Sequence, residues 1–128
     1  MTIQVEFDGG CISYEGKGTG AIPVLKCLID NGHNIAFSTD RIGDRLEEAK
    51  KWFKYNKITP LCENLNTGYV QMTINPKDVC AHLTKGYKAT NKPFTDWVAI
   101  TGLLWIKGII THEQKEYCEN QIREELFK

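Results

Sequence analysis

Hydrophobic and polar positions alternate through TIQVEF, residues 2–7, and the run stops at Asp8-Gly9-Gly10. A period of two is the mark of a strand, and aspartate followed by glycine is a turn signal, so the pattern predicts a first strand that ends in acidic residues. Residues 11–20 are glycine-rich and polar and read as a loop. Ile22, Leu25, Leu28 and Ile29 then recur at helical spacing up to a stop at Asn31-Gly32, with Pro23 acceptable in a first turn that needs no backbone donor. Residues 34–38 predict a second short strand, and Ile42, Leu46, Ala49 and Phe53 predict an amphipathic helix after it. A further short strand is expected near residues 58–62. A better one is expected over residues 69–74, stopped by Asn75-Pro76 because proline cannot join the interior of a ladder. Strands alternating with helices predict a parallel sheet, since parallel neighbours need crossover connections.

The last third changes character. Residues 76–86 predict a short helix, and Asn91-Lys92-Pro93 a break. WVAITGLLWIK, residues 97–107, predicts a helix that is apolar on nearly all sides and is ended by Gly108. Thr111 and Gln114 have the spacing of a capping box at the start of a final helix, and Cys118, Ile122 and Leu126 line one of its faces. The expected class is therefore α/β: a small Rossmann-like parallel sheet over residues 1–75, with a C-terminal helical pair, residues 76–128, packed on the same domain. Phe94, Trp97, Leu103, Leu104 and Trp105 admit two readings. They fill the face of the sheet as core, or some of them, Phe94, Trp97, Leu104 and Trp105, form an interface. One thin sheet covers only part of so apolar a helix, which predicts a homodimer.

Composition narrows the classes of partner. A chain of 128 residues with 41% hydrophobic and 25% charged residues fits one domain with its own core. The 16 basic and 16 acidic side chains cancel, leaving no global field to recruit nucleic acid or an anionic membrane. No run approaches the ~18 to 20 apolar residues that span a bilayer, and no basic-then-apolar leader opens the chain, so a cytoplasmic protein is expected, in the host cell if the source is viral. Cys11, Cys27, Cys62, Cys80 and Cys118 stand singly, with no C-x-x-C pair, and read as reduced thiols, mostly small buried hydrophobes, with Cys11 expected at the surface. His33, His82 and His112 fall in unrelated segments and offer no metal-ligand spacing. Lys85, Lys88 and Lys92 around Tyr87 read as solvated loop lysines rather than phosphate contacts.

The candidate chemistry gathers at strand ends. Glu6 and Asp8, two residues apart, point to one face at the C-terminal end of the first strand, which is where open α/β sheets place ligands. Gly9 and Gly10 let backbone amides approach an anion. After the second strand, Ser38, Thr39, Asp40 and Arg41 bring a hydroxyl and a helix N-terminus to the same end, a place for phosphate. The plainer alternative is that Asp8 and Gly9 make a tight turn while Ser38, Thr39 or Asp40 caps the next helix.

These residues carry a resemblance. VEFDGG resembles the opening hydrophobic-D-F-D-G-T strand of the haloacid dehalogenase superfamily, in particular its small capless members. IAFSTDRIGDRLEEAKKWFKYNKI is similar to that family's second-motif strand and following helix, at Thr39, Arg41, Gly43, Leu46, Glu47, Glu48, Ala49 and Trp52. AIPVLKCLIDNGH resembles the helix between them. The resemblance covers about residues 1–75. It implies Glu6 at the position of the nucleophilic aspartate, Asp8 at the general acid/base and Thr39 at the phosphate-binding hydroxyl. The departures are as telling. Glutamate overreaches an in-line geometry in which a displacement near 1 Å costs on the order of 100-fold. Gly10 replaces the motif's threonine, no acidic pair stands around Asn75-Pro76-Lys77, and residues 65–71 hold no lysine. Few anionic oxygens remain for magnesium. The expectation is thus a non-catalytic or nearly inactive protein without a cofactor, which binds a small anionic, phosphate-containing ligand or a protein partner. One rival is a metal-dependent phosphatase with Glu6 as nucleophile, Asp40 or Asp78 as displaced ligands, and magnesium. Another is a bacterial or phage inhibitor or assembly protein that uses the fold as scaffold.

Overall fold

The computed structural model describes residues 1–77, 79–81 and 92–126. The first strand, β1 (Thr2–Glu6), lies in the middle of a parallel sheet, between β2 (Asn34–Ser38) and β3 (Met72–Ile74). Ile3 is level with Ile35 and Met72, and Val5 with Phe37 and Ile74. A central parallel strand is covered on both faces, so even its polar position is enclosed. Gln4 is buried, and its side-chain oxygen accepts a hydrogen bond from the Leu65 amide at 2.8 Å.

That contact belongs to a fourth, irregular run beside β2. The Leu61 amide donates to the Ile35 carbonyl at 2.8 Å, the Asn64 amide to the Phe37 carbonyl at 2.7 Å, and Phe37 bridges Glu63 in the parallel sense. The short strand expected near residues 58–62 is therefore displaced toward 61–64 and is not regular. The strand expected over residues 69–74 is shorter too: residues 67–69 form a turn of 3-10 helix, closed by the Asn66 side chain accepting from the Gly68 amide, and Tyr69 faces solvent.

Helix α1 (Ala21–Asp30) links β1 to β2, and α2 (Gly43–Tyr55) follows β2. The buried stripe of α1 is Ala21, Val24, Leu25, Cys27 and Leu28, so Ile29, expected on it, lies at its exposed edge. In α2, Ala49 and Phe53 are buried as their spacing requires, while Ile42 precedes the first turn and is 82% exposed. Phe7, Phe37, Trp52 and Phe53 interlock edge to face or tilted, with centroids 4.7 to 6.3 Å apart.

Within residues 76–86, where a helix was expected, the described part holds a turn at Pro76 and Lys77 and a short strand. Strand β4 (Cys80–Ala81) pairs antiparallel with β5 (Phe94–Thr95), and the Asp96 amide donates to the Val79 carbonyl at 3.0 Å. Val79 and Ala81 pack against the core, an alternation that a two-residue period serves and a helix does not. Asp78, His82, Lys85, Tyr87, Lys88 and Asn91 lie outside the described residues. Helix α3 (Trp97–Ile106) is capped by the Asp96 carboxylate, which accepts from the Ala99 amide at 3.1 Å, and it ends before Gly108 at φ 75°. Helix α4 (His112–Leu126) opens with the capping box: the Thr111 hydroxyl accepts from the Gln114 amide at 3.1 Å, and the Gln114 side chain accepts from the Thr111 amide at 3.0 Å. Helices α3 and α4 pack on each other and on α1. None of the helices among the described residues is long and apolar enough to cross a membrane.

The apolar residues of the last third divide. Phe94, Trp97 and Leu104, read either as core or as an interface, are at most 2% exposed and belong to this chain's own core, so the interface reading fails for them. The cause is that α3 enters the fold over the first loop, where the Trp97 indole N–H donates to the Gly10 carbonyl at 2.8 Å. Trp105 alone of the four reaches the surface, at 41% exposure, with its ring against His112 and beneath the Lys115 ammonium. Cys11, expected to be exposed, is buried, because the Thr19 hydroxyl folds the loop over it by donating to the Gly10 and Cys11 carbonyls. Cys80 is the exposed thiol.

The indole contact yields a measurable expectation. Trp97→Phe keeps an aromatic ring but removes one of the donors to a buried carbonyl, and should cost about 1 to 2 kcal/mol. Trp97→Ala also empties the site and should cost about 3 to 5 kcal/mol. Urea denaturation with an unchanged slope measures both, and a Trp97→Phe variant as stable as the parent would mean that the hydrogen bond contributes nothing.

Candidate functional site

Beyond β1 the backbone continues one step beside β2, with the Phe7 amide donating to the Ser38 carbonyl at 2.9 Å, and then turns sharply. The amides of Cys11 and Ile12 return to the Phe7 carbonyl at 2.9 and 3.2 Å, and the Gly9 amide donates to the Ile12 carbonyl at 2.7 Å. Glycine is required at both positions for different reasons. Gly9 has φ 82° and lies under Tyr14 and Pro76, where a Cβ would come within 2.8 Å of each. A Cβ on Gly10 would collide with the Glu6 carbonyl oxygen. The expected anion cradle is therefore altered: the Gly9 N–H is spent on Ile12, and the paired glycines serve the turn itself.

Across the sheet end, Asp8 is gripped by Arg41. The guanidinium donates through Nη2 to Oδ1 at 2.7 Å and through Nε to Oδ1 and Oδ2 at 3.1 and 3.0 Å. It lies 4.9 Å above the Phe7 ring centroid, and its Nη1 reaches the Arg45 carbonyl at 3.3 Å and Glu48 at 3.8 Å. Multidentate charge-assisted contact is the strong form of an ion pair, and with side chains only 11% and 28% exposed it contributes about 1 to 2 kcal/mol. The bond to Asp8 pushes the Arg41 pKa still higher.

The loop before α2 exists to aim this arginine. The Thr39 hydroxyl accepts from the Arg41 amide at 3.0 Å, a local turn contact that leaves Thr39 as scaffold. Asn64 holds Thr39 from the neighbouring run, accepting from its amide at 2.9 Å and donating to its carbonyl at 3.0 Å. Asn64 itself has φ 52°, a left-handed conformation that asparagine tolerates well. None of Ser38, Thr39 and Asp40 caps α2, whose N-cap position is Ile42 without a side-chain bond. Ser38 pairs level with Glu6, and Asp40 is exposed.

Glu6 stands apart. Among the described residues its carboxylate has no hydrogen bond or ion pair, and partial burial is the chief cause that raises its pKa. Lys77 opposes that rise, while Asp40 and Asp8 add to it. The Tyr14 hydroxyl feels the same surroundings: burial, then Glu6 and Asp8, push its pKa up. Lys92 lies over the Tyr14 ring at 5.2 Å. The strand ends thus bring together Glu6, Asp8, Tyr14, Asp40, Arg41 and Lys77, of which Tyr14, Lys77 and the supporting Asn64 carry no signal in the sequence. Tyr14 is one side chain in a glycine-rich loop, and one asparagine in a polar segment is indistinguishable from its neighbours.

Among the described residues, the arrangement does not fit a magnesium site. Asp8 is already neutralised by a fixed cation, and among the described residues no group of three or more His, Cys, Asp or Glu side chains is placed to hold a metal ion.

The raised pKa of Glu6 has a definite sign. Its folded-state value lies above the unfolded one, so its contribution to stability is fully present below the ordinary glutamate range and is lost as pH rises through the folded-state pKa. Glu6→Gln should match the parent in thermal stability near pH 4 and exceed it near pH 8. A variant less stable than the parent at pH 8 would show that Glu6 gains more from Lys77 than it loses to burial.

No family model, no curated protein and no solved structure matches the chain.

Proposed function

We propose that this chain is a non-catalytic protein of the haloacid-dehalogenase-like kind that acts by binding, and that its ligand is a protein partner. The observation that carries the reading is the Arg41 clamp on Asp8. A general acid/base must be free to exchange a proton with the substrate, and Asp8 is held by three contacts to a permanent cation. The position that the resemblance gives to a nucleophile holds the longer Glu6, in surroundings that favour its neutral form. Support for the fold kinship comes from the parallel order β2-β1-β3, with the acidic residues at the end of the central strand.

Between the two ligand types expected, the occupied groups favour a protein: Arg41 is held by Asp8, the Gly9 amide donates to Ile12 and the Thr39 hydroxyl accepts from the Arg41 amide, which leaves little to bind a phosphate. The free thiols suit a reducing cytoplasm. The partner that the surface of α3 suits is a second copy, since Leu103, Trp105 and Ile106 are 43%, 41% and 74% exposed on a helix with few charges.

The purified protein should release no product from a generic aryl phosphate with magnesium above the buffer blank, and Glu6→Asp should not restore turnover. Magnesium-dependent turnover abolished by Asp8→Asn would overturn the non-catalytic reading. Light scattering at micromolar concentration should give a mass near twice 14.6 kDa, shifting to the monomer on Ile106→Glu. A monomeric parent would reject the second copy as partner.

A further inference from the structure

Three contacts hold α1 against α4 in antiparallel register. At one end the Asn31 and Gln114 side chains exchange hydrogen bonds, Asn31 Nδ2 to Gln114 Oε1 and Gln114 Nε2 to Asn31 Oδ1, each 2.8 Å. At the other, Ile122 packs directly onto Gly20, where an added Cβ would come within 2.7 Å of its side chain. Between them Cys27 and Cys118 meet, with their Sγ atoms 3.3 Å apart. Gln114, Cys118 and Ile122 follow one another at four-residue steps, so a single ridge of α4 makes all three contacts. Cys118 is fully enclosed, and Cys27 is 7% exposed.

We propose that Cys27 and Cys118 are a redox pair, and that a peroxide converts them to a disulfide that locks α4 onto α1. A disulfide places its sulfurs about 2.05 Å apart, so the pair must close by little more than ~1 Å, a distance within reach of the side chains' own torsions. The flanking contacts with Asn31 and Gly20 hold the helices in place while this happens. Peroxide is hardly larger than water and needs only a slight local opening to reach the seam. Cys27, the less enclosed thiol, reacts first: it gives up its proton, its sulfur attacks one peroxide oxygen, the O–O bond breaks, and the departing hydroxide takes a proton to leave as water. The product is a sulfenic acid. The Cys118 sulfur then attacks that sulfur, the S–O bond breaks, and the hydroxyl leaves as water with the proton from Cys118. Two thiols and one hydrogen peroxide thus give one disulfide and two waters, with both sulfurs oxidised and the peroxide oxygens reduced. Burial and the contact with Cys27 push the Cys118 thiol up, which slows the second step, the attack of the Cys118 sulfur on the sulfenic acid.

The test uses the full chain carrying Cys62→Ser and Cys80→Ser, which removes the more accessible thiols. After hydrogen peroxide and alkylation of remaining thiols, digestion with trypsin without reductant should yield peptide 27–41 joined to peptide 116–123, two hydrogens lighter than the separate peptides. The joined species should vanish with dithiothreitol and never form with Cys118→Ser. The thermal midpoint of the oxidised chain should rise by roughly 5 to 10 °C and fall back on reduction. Sulfinic or sulfonic acid on unjoined peptides, disulfides between chains, or a joined pair with no rise in the midpoint would each overturn the proposal.

Discussion

The fold depends on a strand with no solvent-facing side. Ile3, Val5 and Phe7 are at most 1% exposed, and β1 has hydrogen-bonded neighbours along both edges. The chain leaves β1 at its C-terminal end, and the first loop, the loop before α2 and the start of α3 meet there. The turn through Gly9 and Gly10 makes the exit tight, Thr19 and Trp97 pin its carbonyls, and Arg41 secures Asp8 beside it. Contacts that look scattered along the sequence are in space a collar around the end of one strand.

The alternation of strand and helix was legible through residue 55 because the two strands are short runs bounded by turn signals and the two helices are amphipathic. The second strand has the boundaries expected and the first ends one residue short, at Glu6, while the capping box at Thr111 and Gln114 is read correctly because its two hydrogen bonds are local. Legibility failed where the deciding contact is distant. Residues 61–64 join the sheet through backbone bonds to β2 without the alternation of a regular strand, and Cys80–Ala81 is extended because Phe94–Thr95 lies beside it. The near-uniform apolarity of α3 showed that it must be covered but not by what, and the answer, a first loop almost ninety positions earlier, is written in no local pattern.

At the candidate site, the sequence indicated which residues come together and misjudged the bonds between them. Glu6, Asp8, Thr39 and Arg41 do converge at the ends of β1 and β2. Spacing alone treats each as a free functional group, however, and the structure joins Asp8 to Arg41 and uses Thr39 to shape the loop that carries the arginine. A pairing between residues 33 positions apart has no sequence signature, because any exposed aspartate and arginine would look the same. The roles of Tyr14, Lys77 and Asn64 are equally silent for that reason.

Gly10 limits how this corner of the fold can change. On this backbone any side chain there would strike the Glu6 carbonyl. A mutation to threonine cannot be accepted until the turn has changed its path, and that path is held by Thr19 and Trp97, one from the loop itself and one from a distant helix. Substitution by single steps therefore passes through less stable intermediates. Position 10 would then tolerate little variation for reasons of packing, with no ligand required to keep it fixed.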